Sequence, residues 1–234
     1  MSRAFEVLDV RPTRMGELML RRRLEPVLQI DIWEVKLGEA FLMSSMFTAT
    51  EEAVGRLGIA DTQGDALRVV VGGLGLGCTA AAALESDRVA ELTVIDALAE
   101  VIEWHERGLV PLGPTLVADE RCRFVHGDFF AMAHDGIDVG GGPPFDAILV
   151  DIDHTPDFHL DESHAGFYSE GGLQRVADQL VPGGTFALWS DDPPDAGFTA
   201  LLGRVFGDVR AEIVEFPNHY TGANSACTVY LSHP

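Results

Sequence analysis

Leu67-Arg-Val-Val-Val-Gly-Gly-Leu-Gly-Leu-Gly-Cys-Thr79 runs from a β-branched strand into a glycine cluster, and Leu92-Thr-Val-Ile-Asp96 closes a second apolar run on an acid. A helix-forming Ala run lies between them, and Asp96 follows Gly77 by 19 residues. That is the pattern of a nucleoside-binding βαβ unit. The glycines admit close approach of a ligand, and an acid at the tip of the second strand accepts hydrogen bonds from ribose hydroxyls. A plain strand-turn-helix is the structural alternative. Gly73, Gly75 and Gly77 are spaced G-x-G-x-G and not as the dinucleotide fingerprint G-x-G-x-x-G. With no hydride-transfer constellation in view, this spacing speaks against an NAD(P) dehydrogenase.

Strands and helices alternate outward from this unit. Strands are expected over 67–72, 91–96, 122–126, 145–151 and 184–190, and helices over 77–86, 98–108, 170–180 and 196–206. Two closing strands, near 209–215 and 226–232, are joined too closely for a parallel crossover and predict an antiparallel edge hairpin. The fold class is therefore α/β, a doubly wound, mainly parallel Rossmann-like sheet. Upstream, residues 17–45 read as strands with a hairpin turn at Leu37-Gly-Glu39, and a helix is expected from Thr48 or Thr50 to about Leu57. Glu51 and Glu52 in its first turn suit the helix dipole. The expected organisation is a small N-terminal β region with a helix over residues 1–60 and a nucleoside-binding catalytic domain over 61–234. Gly136 to Pro144 reads as a Gly/Pro-rich loop.

Of the 234 residues, 47% are hydrophobic and 23% charged, as in a globular chain with a substantial core. The net charge of −21 opposes any general affinity for nucleic acid, and suits a cationic substrate as well as it suits simple solubility. Arg21-Arg-Arg23 reads as a solvated or interface edge. No apolar run reaches membrane-spanning length, and the first dozen residues carry Glu6 and Asp9 without a signal-peptide core. Cys78, Cys122 and Cys227 lack CxxC spacing, so buried thiols in a reducing cytoplasm are expected, with neither zinc nor a disulfide framework. Leu98, Val101, Ile102, His105 and Leu109 share a helical stripe, which makes His105 a packing residue and leaves Trp104 as a surface or interface group.

Ligands of open parallel sheets sit beyond the carboxyl ends of the strands, where this chain places further acids. Asp128, after Gly127, can accept from an exocyclic amine or cap a helix, and Phe129 can lie against a ring. Asp151 follows a buried run beside Asp153 and His154. An amine must lose a proton to become a nucleophile, so an acid here can orient it or take that proton. The structural alternative for Asp151 is a strand end, and for His154 a solvated loop. Asp191-Asp-Pro-Pro194 reads more simply as a turn.

These segments, in this order, resemble the spermidine synthase (polyamine aminopropyltransferase) family, a branch of the class I S-adenosylmethionine-dependent methyltransferase superfamily. The resemblance covers most of the chain. Gly73-Leu-Gly-Leu-Gly77 resembles the donor loop, and Asp96 before Ala-Leu-Ala-Glu-Val-Ile-Glu103 the ribose acid. Gly127-Asp128 resembles the adenine pair, and Phe145-Asp-Ala-Ile-Leu-Val-Asp151 the strand bearing the catalytic Asp. Phe167-Tyr168 with Leu180-Val-Pro-Gly-Gly184, and the late loop Phe216-Pro-Asn-His-Tyr-Thr-Gly222, extend the match. The resemblance implies an S-adenosylmethionine or decarboxylated S-adenosylmethionine donor, a small-molecule amine acceptor and no metal. Catalytic roles fall on Asp151 and His154, and substrate contacts on Asp153, His219 and Tyr220. It also implies a homodimer, for which Trp33 and Trp104 are candidate contacts.

Departures from the family pattern bear on chemistry. The glycine-loop acid that meets the aminopropyl amine is Leu76 here, and the second acid after Asp151 falls on His154. The acceptor-loop Tyr falls on His219, and a gatekeeping Tyr on Thr50. Burying an ammonium without its carboxylate costs several kcal/mol, on the order of the desolvation penalty. Three readings follow: aminopropyl transfer to a polyamine-type acceptor, methyl transfer from S-adenosylmethionine, or a nucleoside-binding regulatory protein without catalysis.

Overall fold

The computed structural model describes residues 5–141 and 144–234. Residues 1–4 of the N-terminal region, and positions 142 and 143 of the Gly/Pro-rich loop, lie outside the described residues.

Strand β5 (Leu67–Gly72) shows why the sheet is central: all but one of its residues are buried, with Val69 and Val71 facing one layer and Val70 the other. A strand apolar on both faces belongs inside a sheet covered on both sides. β6 (Val89–Asp96), β7 (Cys122–His126), β8 (Phe145–Val150) and β9 (Leu180–Ser190) join it in parallel. β10 (Asp208–Asn218) and β11 (Ala223–His233) form the expected antiparallel hairpin at one edge. The order is β10-β11-β9-β8-β5-β6-β7. Chain progression reverses between β5 and β8, and a crevice opens there beyond the strand ends.

Four antiparallel strands precede this sheet in the order β1 (Phe5–Thr13), β2 (Gly16–Glu25), β3 (Ile30–Leu37) and β4 (Ala40–Ser44). Leu18, Leu20 and Val35 from this small sheet share one hydrophobic cluster with Val69, Leu92 and Leu149 of the large sheet. Helix α1 (Ala49–Asp61) also packs on the large sheet. A Cβ at Gly55 would lie 2.5 Å from the Thr79 carbonyl oxygen, and Gly58 faces the Leu149 side chain. These contacts carry the helix past Leu57 despite two interior glycines, tertiary packing outweighing propensity. We propose a domain division after β4 in place of residue 60. Arg21 and Arg23 both pair with the buried Glu34, at 2.6 and 2.8 Å, and Arg22 pairs with Glu6 at 2.8 Å, so the basic run is neutralised within the small sheet.

α2 (Cys78–Leu84) and α3 (Ala99–Glu106) follow the first two strands of the large sheet. α5 (Phe129–Asp135) begins at the cap residue Asp128, whereas α4 (Gly113–Ala118) and β1 have no counterpart in the expected elements. α6 (Glu170–Ala177) and α7 (Ala196–Val205) match their expected positions. His105 is fully buried, as its stripe predicts. The reading of Trp104 as a surface group is corrected. Its ring is fully buried and its Nε1–H donates to Asp9 Oδ2 at 2.9 Å, while half-buried Trp33 donates to the Leu109 carbonyl at 3.0 Å. The burial of Trp104 removes it as a dimer contact. The three cysteines are free thiols. Among the described residues, no helix is long and apolar enough to cross a membrane.

Candidate functional site

A cavity of about 320 Å³ opens at the switch point, between the glycine loop, the ends of β6, β7 and β8, and the small sheet. Gly73 and Gly75 line it; both have positive φ, +92° and +46°. A Cβ on Gly73 would strike the Asp151 backbone carbonyl, and one on Gly75 would lie 2.5 Å from Met43 Sδ. The loop is therefore glycine-rich because it is clamped between β8 and β4, as well as open to a ligand. His105 Nε2 binds the Gly75 carbonyl at 3.0 Å and burial lowers its pKa, so a neutral ring donates its N–H and braces the loop. Gly77, φ +88°, packs against His105 and Leu116 instead of lining the cavity.

Asp96 lines the cavity but is not the free, solvated acid that a ribose site alone would predict. Its Oδ2 accepts the Leu74 N–H at 2.9 Å and its Oδ1 the Leu98 N–H at 2.8 Å, tying the glycine loop to the start of α3. Burial raises its pKa, and the backbone donors oppose the rise. Two oxygens carry about four acceptor positions, so the carboxylate retains capacity for hydroxyls. Gly127 lies outside the lining, its N–H given to the Asp96 carbonyl at 3.0 Å. Asp128 lines the cavity and caps α5 by accepting from Ala131 N–H at 3.2 Å. Phe129 and Phe130 line the same end.

At the other end stand Asp151, His154, Trp189 and Glu51. Thr79 on α2 donates to Asp151 Oδ2 at 2.6 Å, and its hydroxyl lies 3.0 Å from the Glu51 carbonyl oxygen. Burial pushes Asp151 up to about 6. Burial, reinforced by the Asp151 charge, pushes Glu51 up to about 8. Among the described residues no Lys, Arg or His forms an ion pair with either acid. His154 stacks on Phe158 with ring centroids 5.1 Å apart. Among the described residues, Trp189 Nε1 is buried without a hydrogen-bond partner.

Three residues given substrate contacts are not brought to the cavity. Asp153 turns inward and is only 2% exposed, accepting from Leu160 N–H, His164 Nδ1 and Tyr168 O–H. His219 and Tyr220 sit exposed at the β10–β11 turn, where the Tyr220 hydroxyl takes a hydrogen bond from Arg23 at 2.8 Å and its ring meets Phe47. Short-range spacing could not show that this turn folds against the small sheet. Conversely, Glu51, Arg14, Trp189 and His164 line the cavity and were not singled out for it. By sequence Glu51 is a first-turn helix acid, and its neighbour Thr50 is buried. Leu76 is 2% exposed and points into the core.

No family profile and no curated protein matches the sequence. Solved structures do match over 97% of this chain. A spermidine synthase bound to the transition-state analogue AdoDATO superposes with a TM-score of 0.76 at 17% identity, over 73% of its own length. The chain has the spermidine synthase fold. The spermidine synthase of Thermotoga maritima follows at TM-score 0.74 and 17% identity, with 97% of this chain and 72% of that one covered. A probable spermidine synthase of Corynebacterium glutamicum gives 0.66 and 16%, with 97% and 79% covered. As in spermidine synthase, this chain joins a four-stranded antiparallel sheet to a mainly parallel seven-stranded sheet.

Proposed function

We propose that this protein is a transferase that holds an adenosyl sulfonium donor and alkylates an amine, moving the aminopropyl group of decarboxylated S-adenosylmethionine to a polyamine-type acceptor. The observation that carries this reading is the Glu51 and Asp151 pair. Two half-buried carboxylates line one cavity, burial raises the pKa of both, and among the described residues neither forms an ion pair. Buried charge demands a partner, and a cationic ligand supplies it. Glu51 thus takes up the electrostatic task left open at Leu76 and His154.

In this reading Gly73, Gly75, Asp96 and Asp128 hold the nucleoside, and Asp151 faces the reacting amine. The amine lone pair forms the new N–C bond as the C–S bond breaks, and the bonding pair leaves on sulfur as a neutral thioether. The surplus proton passes to the carboxylate pair, whose raised affinity for protons matches neutral pH. Positioning of the two reactants supplies most of the rate. His154 and Trp189 flank the acceptor. The fold likeness to spermidine synthases supports the donor class.

A second reading, methyl transfer from S-adenosylmethionine, is favoured by Arg14. This side chain lines the cavity from the β1–β2 turn, where a guanidinium complements the carboxylate of the intact donor. Incubation with each donor and a panel of amines, read by mass spectrometry, separates the two. An added aminopropyl unit supports the first and an added methyl the second.

A further inference from the structure

We infer that His164, oriented by Asp153, reads the base edge of the nucleoside and selects a 6-aminopurine over a 6-oxopurine. The inference rests on the nucleoside reading above and assigns a specificity residue within it.

Asp153 is buried and accepts three hydrogen bonds: Leu160 N–H at 2.7 Å, His164 Nδ1 at 2.9 Å and Tyr168 O–H at 3.0 Å. An ionised carboxylate only accepts, so the proton between Asp153 and His164 belongs to Nδ1. With Nδ1 donating to Asp153, the Nδ1-protonated tautomer leaves its lone pair on Nε2. His164 lines the cavity, and its ring centroid lies 4.0 Å from that of Phe130. Phe130 stands two residues after Asp128, and Asp128 and Ser163, the neighbour of His164, line a common hollow, so His164 stands beside Asp128. Asp128 spends Oδ1 on the Ala131 N–H and retains Oδ2.

This end of the cavity therefore offers two acceptors, His164 Nε2 and Asp128 Oδ2. An exocyclic amine presents two N–H donors and satisfies both. A 6-oxo group presents another acceptor, leaving both lone pairs unmatched. Sites that lose such a match in a desolvated pocket discriminate by about tenfold or more.

The test is calorimetric titration with 5′-methylthioadenosine and 5′-methylthioinosine on the wild type, His164→Ala and His164→Phe. His164→Phe keeps the ring volume against Phe130, should the alanine variant fail to fold. The wild type is expected to prefer the adenine nucleoside by about tenfold or more, and both variants to lose most of that preference while binding of the inosine nucleoside changes little. In the wild type, the ¹⁵N resonance of His164 Nε2 should move when 5′-methylthioadenosine binds. An unchanged preference in a folded variant, or an unmoved Nε2 resonance, overturns the assignment and leaves the nucleoside reading standing. Binding of neither nucleoside by the wild type overturns the nucleoside reading and the assignment together.

Discussion

The Thr79 hydroxyl lies 2.6 Å from Asp151 Oδ2, so the second residue of α2 holds the acid that ends β8. The hydrogen bond stabilises the ionised form and works against burial, which sets the proton affinity of Asp151. Thr79→Val keeps the shape and removes the donor. The Asp151 pKa should then rise further, moving the acid limb of the pH–rate profile upward. The stability cost should be about 1 kcal/mol for one lost hydrogen bond. An unmoved acid limb would remove Asp151 from the rate-determining ionisation.

Glu51 gives a stability prediction with a definite sign. Its folded pKa, near 8, lies above the unfolded value of 4.5. Between those values the folded protein keeps a proton that the unfolded chain has released, so its contribution to stability falls as pH rises across that window. Glu51→Gln removes this dependence. The variant should match the wild type near pH 4 and exceed it by more than about 1 kcal/mol at pH 8, one pKa unit being worth about 1.4 kcal/mol. Thermal melts at both pH values check this; equal melting temperatures at pH 8 would show Glu51 to be solvated.

For Asp96 the structure changes the expectation. A solvated strand-end acid would cost little to remove, but this carboxylate accepts two backbone N–H groups. Asp96→Ala should lose about 1.5–3 kcal/mol of stability for each bond to a charged group as an upper range, and nucleoside affinity should fall at least about tenfold. A melt unchanged within about 0.5 kcal/mol would contradict the observed bonding.

Gly75 and Gly73 separate two kinds of crowding. A Cβ on Gly75 meets the flexible thioether of Met43, whereas one on Gly73 meets rigid backbone at Asp151. Gly73→Ala should be the more damaging substitution, in both melting temperature and nucleoside binding. Met43→Ala should restore part of the stability lost in Gly75→Ala, leaving the left-handed strain of about 1–2 kcal/mol. If Met43→Ala restores nothing, the clamp on the glycine loop lies elsewhere.

What the sequence disclosed and what it withheld divide along the range of the interactions. β5 and β8 fall where their apolar runs lie, because burial on the sheet faces is written in local patterning. Asp96, Asp128 and Asp151 were legible as strand-end acids, since their position depends only on where a strand stops. Asp153 lies two residues beyond Asp151, yet it faces inward because Leu160, His164 and Tyr168 arrive from downstream to satisfy it. No spacing rule reports that. Glu51 entered the site because α1 packs on α2 through Gly55, a tertiary contact that a first-turn Glu does not announce. The burial of Trp104 follows likewise from Asp9 on the unexpected strand β1.

The central claim is that a cationic amine is alkylated beside Asp151 and Glu51. Its most direct measurement is product mass spectrometry of the purified protein with decarboxylated S-adenosylmethionine and a polyamine panel, in parallel with Asp151→Asn and Glu51→Gln. The account predicts an aminopropylated amine and one equivalent of 5′-methylthioadenosine per turnover. Turnover should fall at least about a hundredfold in Asp151→Asn, within the range for loss of an acid–base group, and amine affinity should weaken in Glu51→Gln. Absence of an aminopropylated product, or turnover untouched by both substitutions, would contradict it.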